Sequence, residues 1–267
     1  MENSSSIHKT ALIHPKAKIA ANVHVGAYSI IGKNVTIKSD CIIGNNVTIT
    51  GNTSIGEQTK IYHSASVGED PQDKKYNGEE TKLIIGKRNL IREFCTINKG
   101  TAQDRGETRM GDDNWIMAYC HIAHDCNVSD GCIFSNNSTL AGHVNVGPNV
   151  VMAGMVAVHQ FVSIGHHSFV TGGALVRKDV PPFVKAAREP LSYVGVNSVG
   201  LRRRGFAPEK IREIQQIYRI LYQKNYNNTQ ALQIIEAEME ATNERDEILE
   251  FIRASKRGIM KGYFNNS

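Results

Sequence analysis

Apolar residues recur along this chain with a period of six. From Ile13 an aliphatic residue returns at Ile19, Val25, Ile31, Ile37, Ile43, Ile49, Ile55, Ile61 and Val67. Glycine often follows it, as at Gly26, Gly32, Gly44, Gly56 and Gly68, and four places after it sits a small or β-branched residue such as Ala17, Val23, Ser29, Val35 or Cys41. This period matches neither the turn of an α-helix, roughly 3.6 residues, nor the two-residue alternation of a half-buried strand. It suits a mainly β fold, a parallel β-helix of hexapeptide repeats whose short strands turn where left-handed backbone or close chain approach is needed. The aliphatic residues then line the interior, and the residue four places on fills a tight inner corner. With three hexapeptides per coil, residues eighteen apart stack at the inter-strand spacing of about 4.8 Å.

The register pauses after Gly68, resumes in phase at Ile85, Ile91 and Ile97, and pauses again before a third run from Met110 to Val176 that is shifted by one residue. The interruptions carry charge and lack the period, so they are expected to leave the coil as excursions over residues 69–84 and 98–109. Pro181-Pro182 ends the repeat. The expected division is a β-helix domain over 1–182 and a linker with a C-terminal α-helical domain over 183–267. There Pro208 opens a helix with Ile211, Ile214, Tyr218, Leu221 and Tyr222 along one face. Two more helices are expected near Thr229–Ala241 and Asp246–Arg257.

Composition narrows the class. A chain of 267 residues can bury a sizeable core, and its net charge of +5 is mild. That balance favours an anionic partner without pointing to nucleic acid. No stretch approaches the roughly 18 uncharged apolar residues of a membrane span, and MENSSSIHKT lacks the apolar core of a signal peptide. The expected location is cytoplasmic. All five cysteines, Cys41, Cys95, Cys120, Cys126 and Cys132, fall at the inner-corner position, where they read as small buried hydrophobes.

The stretch HIAHDCNVSDGC, residues 121–132, concentrates histidine and cysteine. His124 is the third residue of its hexapeptide and is expected to project outward. Eighteen-residue stacking puts Gly142 and Gln160 in its column, flanked by His143 and His159. This arrangement resembles a site for a base and an oxyanion. Two other readings compete with it. His121 and His124 could hold zinc, as histidines do in the γ-type carbonic anhydrases, which the chain resembles in fold only. Alternatively, the chain could be a non-enzymatic repeat scaffold.

Four further motifs, YCHIAHDCNVSDGC, NNSTLAGHVNVG, MVAVHQFVSIG and GVNSVGLRRRGF, together with the loop PQDKKYNGEET, resemble the UDP-N-acetylglucosamine O-acyltransferases of lipid A biosynthesis. The resemblance runs from Ile13 into the helical tail. It implies a left-handed β-helix homotrimer that takes a 3-hydroxyacyl chain from acyl carrier protein to the glucosamine 3-hydroxyl of UDP-N-acetylglucosamine. No cofactor and no metal are implied. By the same resemblance His124 is the general base, Asp125 its orienting partner and Gly142 the oxyanion donor. Asp73, Lys75, His121, His143, His159, Gln160, Asn197, Arg203 and Arg204 match substrate-holding positions. Gly172 matches the position that closes or opens the end of the acyl groove. Two residues depart from the pattern: Asn98, near the sugar acceptor, stands where the family often has histidine, and Val199 where it often has an acid. A related group that acylates a 3-amino sugar nucleotide lacks that histidine, which makes N-acylation the alternative.

Overall fold

Most hexapeptides of the coil form a two-residue strand whose second residue points inward, as at Ile37, Ile43 and Ile49, all buried. Such a strand is too short to stand alone and is stabilised by stacking on its counterpart in the next coil. The computed structural model describes residues 5–224 and 226–262. In it the strands stack in parallel as three sheets that wrap one apolar interior, the left-handed β-helix expected above. Ile37 pairs with Ile55, and Ile122 with Leu140, each one coil apart. At the excursions the pairing jumps without breaking a sheet. Ile55 pairs with Ile85 across the first, and Ile85 with Met110 across the second. Strands extend through Glu69 and from Lys82, and through Asn98 and from Glu107, so the excursions span 70–81 and 99–106, narrower than the period suggested.

The coil turns at corners where every sixth residue has φ near +60°, and glycine is the exception there. In the third run the series is Asp113, Tyr119, Asp125, Gly131, Asn137, His143, Asn149, Met155, Phe161, His167 and Gly173. The glycines after the aliphatic positions serve close approach instead. A Cβ on Gly26 would lie 2.6 Å from the Gly44 carbonyl oxygen. All five cysteines are buried. At the inner corner Cys126 Sγ donates to the Ala141 carbonyl at 3.2 Å, as Ser138 Oγ does to Ala153 at 3.1 Å.

The coil continues past Pro182. Val184–Ala187 adds to one sheet and pairs antiparallel with Ser192–Val196, a hairpin that the six-residue period could not announce. Helices follow at Ser198–Arg203 (α1), Pro208–Gln223 (α2), Asn228–Glu238 (α3) and Asn243–Ala254 (α4). Helix α3 starts at a capping box formed by Asn227 and Gln230, and α4 at Thr242, whose side chain accepts from Arg245 N. Helix α2 docks on the last coil through Tyr218, whose hydroxyl donates to the Pro182 carbonyl at 2.6 Å, and the rings of Tyr193, Tyr218 and Tyr222 stack together.

Burial pushes the Cys126 and Cys132 thiols up to about 12. Both should therefore resist alkylation in the native protein at pH 8 and react only on unfolding. Because serine makes the same inner-corner bond, Cys126→Ser should change stability by no more than about 1 kcal/mol, read by denaturant titration.

Candidate active site

Both excursions and the histidine column meet on one corner of the prism. That corner carries His124–Asp125, then Gly142–His143, then Gln160–Phe161, tied by bonds from His143 N to the His124 carbonyl and from Phe161 N to the Gly142 carbonyl. His124 leaves the interior as expected, yet its side chain is sheltered, with 13% exposed. Its ring lies over Gly142, where a Cβ would stand 2.5 Å from the imidazole Cε1. Only glycine leaves room for the ring there, and no backbone acceptor takes the Gly142 N–H among the described residues.

Asp125 is 0% exposed and sits in the left-handed region at φ 58°. His124 Nδ1 lies 2.8 Å from its Oδ2. Thr101, in the second excursion, donates its N–H to Oδ1 at 2.9 Å and its hydroxyl to Oδ2 at 2.6 Å. Burial pushes the Asp125 carboxyl up, but the bonds from His124 and Thr101 outweigh it, so its pKa lies below the ordinary carboxylate value. The group is an ionised acceptor at neutral pH. The His143 ring meets the His124 ring edge-on at 5.1 Å, stacks on Phe161 at 4.4 Å, and places Nδ1 2.8 Å from Asp104 Oδ2. His121 Nδ1 lies 2.7 Å from Thr96 Oγ1; burial and the nearby His124 lower its pKa, which keeps it neutral near pH 7. A cavity of about 570 Å³ opens beside His143 and is edged by Arg105, Lys256 and Arg257.

The remaining expected residues are spread more widely. His159 and Gln160 are exposed at the far end of the column. In the first excursion Asp73 Oδ1 accepts from Lys75 N at 3.0 Å, and the Lys75 side chain is exposed. Asn98 is buried at the root of that excursion, where its Nδ2 donates to the Asp70 carbonyl at 3.0 Å and its Oδ1 has no partner. Asn197 and Arg204 lie on a different corner. Asn197 Nδ2 donates to the His167 carbonyl, and Arg204 Nε to Asn149 Oδ1 at 3.2 Å. Arg203 ends α1 and is exposed. Gly172 is exposed on the third corner, stacked on Gly154.

Sequence reasoning missed Thr101, Asp104 and Arg105. The second excursion was visible only as a charged break in the period, and nothing in its residue order says which of them faces Asp125. His124, Asp125 and His143 also bring potential metal ligands within 4.8 Å of one another. Asp125 is 0% exposed, its Oδ2 already accepts from both Thr101 and His124, and its Oδ1 accepts from the Thr101 N–H. This is a poor match to an open metal site.

Comparison with known proteins decides among the three readings. The bacterial transferase hexapeptide model matches residues 4–39 and 107–142, and the model for domain 2 of UDP-N-acetylglucosamine O-acyltransferase matches 179–260. The acyl-(acyl-carrier-protein)-UDP-N-acetylglucosamine O-acyltransferase of Stenotrophomonas maltophilia is 48% identical over 97% of this chain and 99% of its own. That of Herminiimonas arsenicoxydans is 50% identical over 96% of this chain and all of its own. The chain belongs to this O-acyltransferase family. Solved UDP-N-acetylglucosamine acyltransferases from Bacteroides fragilis and Francisella novicida superpose with a TM-score of 0.93 each. They are 42% and 37% identical, cover 95% and 97% of this chain, and are themselves covered to 99% and 95%. Among the described residues of this family member no helix is long and apolar enough to cross a membrane.

The depressed Asp125 pKa gives a signed expectation. A carboxylate whose folded pKa lies below its unfolded value adds stability that is complete above the unfolded value and lost as pH falls through the folded one. The stability gap between wild type and Asp125→Asn should therefore be constant from about pH 5 to 8 and shrink below about pH 4. Urea midpoints across that range would show it; a gap that keeps its size through the acid range would mean the carboxylate is not held as described.

Proposed function

We propose that this chain catalyses the O-acylation of UDP-N-acetylglucosamine from acyl carrier protein for which its relatives are named, with a 3-hydroxyacyl group as the acyl chain and the glucosamine 3-hydroxyl as the acceptor. The observation that carries the reading is the Asp125-held imidazole of His124 lying over the bare backbone of Gly142. An ionised carboxylate can only accept, so His124 keeps its proton on Nδ1 and presents the Nε2 lone pair. As the sugar oxygen attacks the thioester carbonyl carbon, its proton passes to His124 Nε2 and the carbonyl oxygen gains negative charge beside the Gly142 N–H. When the tetrahedral species collapses, the C–S bond breaks and the departing pantetheine sulfur takes that proton. No acyl-enzyme is needed, in keeping with five cysteines that are all buried. Neither a metal nor a cofactor enters the reaction.

Substrate contacts follow the placement of the polar residues. Asp73, Lys75, His121, His143, His159 and Gln160 would hold the sugar and donor on the His124 corner, while Asn98, expected among them, is buried and would act only by fixing the first excursion at Asp70. Asn197, Arg203 and Arg204 stand on another corner of the same chain and would reach the nucleotide from a neighbouring copy. This supports a homotrimer with its sites between subunits. Arginine suits a diphosphate because its forked donors match two oxygens at once. The basic edge of Arg105, Lys256 and Arg257 adds a favourable field for anionic substrates in a cytoplasmic setting.

His124→Ala should lower turnover by about 10² to 10⁴-fold, with the trimer intact by light scattering. Mass spectrometry should show an O-acylated sugar nucleotide formed from UDP-N-acetylglucosamine and 3-hydroxyacyl carrier protein. Near-normal turnover by the variant, a strict requirement for stoichiometric zinc, or acylation of the 3-amino analogue alone would each overturn part of this reading.

Gly172 offers a separate test of the acyl groove. It is Gly173, at φ 71°, that takes the left-handed corner, so Gly172 is not demanded by backbone conformation. A Cβ there would press on the Gly154 carbonyl oxygen at 3.1 Å, a contact that a shift of a few tenths of an ångström relieves. Gly172→Met should therefore fold and shift donor preference toward a chain several carbons shorter, since each methylene kept out of the groove forfeits about 0.8 kcal/mol. An unchanged chain preference would show that the groove does not end there.

A further inference from the structure

We propose that Thr101 is a positioning residue for the reaction: from the second excursion it clamps the Asp125 carboxylate and so fixes the tautomer and aim of the His124 imidazole. The inference rests on the functional reading above and adds to it a residue outside the histidine column.

Thr101 is 1% exposed. Its hydroxyl and its N–H bond both oxygens of a carboxylate that has no contact with solvent; Oδ2 also takes His124 Nδ1 at 2.8 Å, with His143 Nδ1 farther off at 3.9 Å. The Asp125 backbone is held as tightly. Its N–H donates to Thr108 Oγ1 at 2.8 Å, and its carbonyl accepts from Arg105 Nη2 at 3.0 Å. With backbone and both oxygens fixed, the carboxylate cannot turn, and an imidazole bonded to it is fixed in turn.

The local chain explains how Thr101 arrives there. Gly100 lies so close to the returning limb that a Cβ would stand 2.4 Å from Glu107 N, and Gly106 N donates to the Thr101 carbonyl at 3.1 Å. The excursion is therefore a closed loop with its first threonine folded back over the corner. Other polar links in the region do less for the base. The Asp104 carboxylate beside His143 is 36% exposed, and pairs in contact with water are screened and weak. Lys99 pairs instead with Asp70 at 2.8 Å and lies over the Tyr76 ring, so it fastens the first excursion.

Removing the Thr101 hydroxyl leaves Asp125 Oδ2 buried with one donor fewer. The carboxyl then turns or takes up a proton, and either change frees His124 to carry its own proton on Nε2, where it cannot act as base. Valine tests this, since it keeps the shape and the backbone N–H and removes only the hydroxyl. Thr101→Val should lower kcat by about 10- to 100-fold, the range for losing a bond to a charged group, with KM for both substrates within about threefold. Thr101→Ser should restore most of the rate. In Asp125→Ala protein the Val substitution should add no further loss, because Thr101 acts only through that carboxylate. Nitrogen NMR of histidine-labelled protein should show His124 as a single Nδ1-protonated tautomer in wild type and as a mixture in Thr101→Val.

Three results would overturn the inference: Thr101→Val at near wild-type kcat, a full additional loss in the Asp125→Ala background, or an unchanged His124 tautomer. If His124→Ala is inactive while Thr101→Val is normal, only this inference fails. An active His124→Ala removes the reading beneath it as well.

Discussion

The constraint on which everything else depends is the corner of the coil, where the backbone must enter the left-handed region once every six residues. For an L-residue that conformation costs roughly 1–2 kcal/mol, and here aromatic and charged side chains bear it as often as asparagine does. The cost is offset because each corner lets another aliphatic residue stack in a dry interior. Once the corner backbone is set, side-chain positions are set as well. Asp125, His143 and Phe161 occupy successive left-handed positions of one corner, and their rings and carboxylate line up at the coil spacing. Strained backbone often marks a functional site, but in this fold every corner shares it. Chemistry is marked instead by which residues fill a corner. One corner has Tyr119, Asn137, Met155 and Gly173, and another has Asp125, His143 and Phe161.

Glycine takes on a second task under this constraint. With αL positions largely given to other residues, glycine is placed where two coils approach too closely for a Cβ. Gly142 turns that packing role into chemistry: the space its missing side chain would fill holds the His124 ring. A substitution to alanine would press on the His124 ring and displace it.

Much of this was legible in the sequence because the coil converts spacing into position directly. The period of six gave the interior residues, all five buried cysteines and the column His124, Gly142 and Gln160. It also located both excursions, although their limits were drawn too wide because the strands at Glu69, Lys82, Asn98 and Glu107 run past the periodic positions. Legibility stops where the period stops. The hairpin around Pro190 and the short α1 carry no repeat, and the start of α4 at Asn243 is set by Thr242, a cap with no apolar pattern around it. Thr101 was invisible for a different reason. The contact between Thr101 and Asp125 is made by a loop that folds back on the coil, and the six-residue period says nothing of where a loop residue outside it will point.

A bare β-helix presents its outward side chains in single rows, each bathed in water on one side. Such a row can bind, but it cannot bury a charge, and an exposed carboxylate beside an imidazole fixes its tautomer only weakly. The second excursion supplies the missing layer. It covers Asp125 completely, and it does so with donors, so the charge is stabilised as it is desolvated. The first excursion is fastened to the same corner by Lys99 and Asn98. What separates this chain from a passive repeat scaffold is therefore not the coil, which any hexapeptide protein shares. It is the pair of loops that close over one corner of it, where an imidazole is held by a buried carboxylate and lies over Gly142, while all five thiols are buried in the interior.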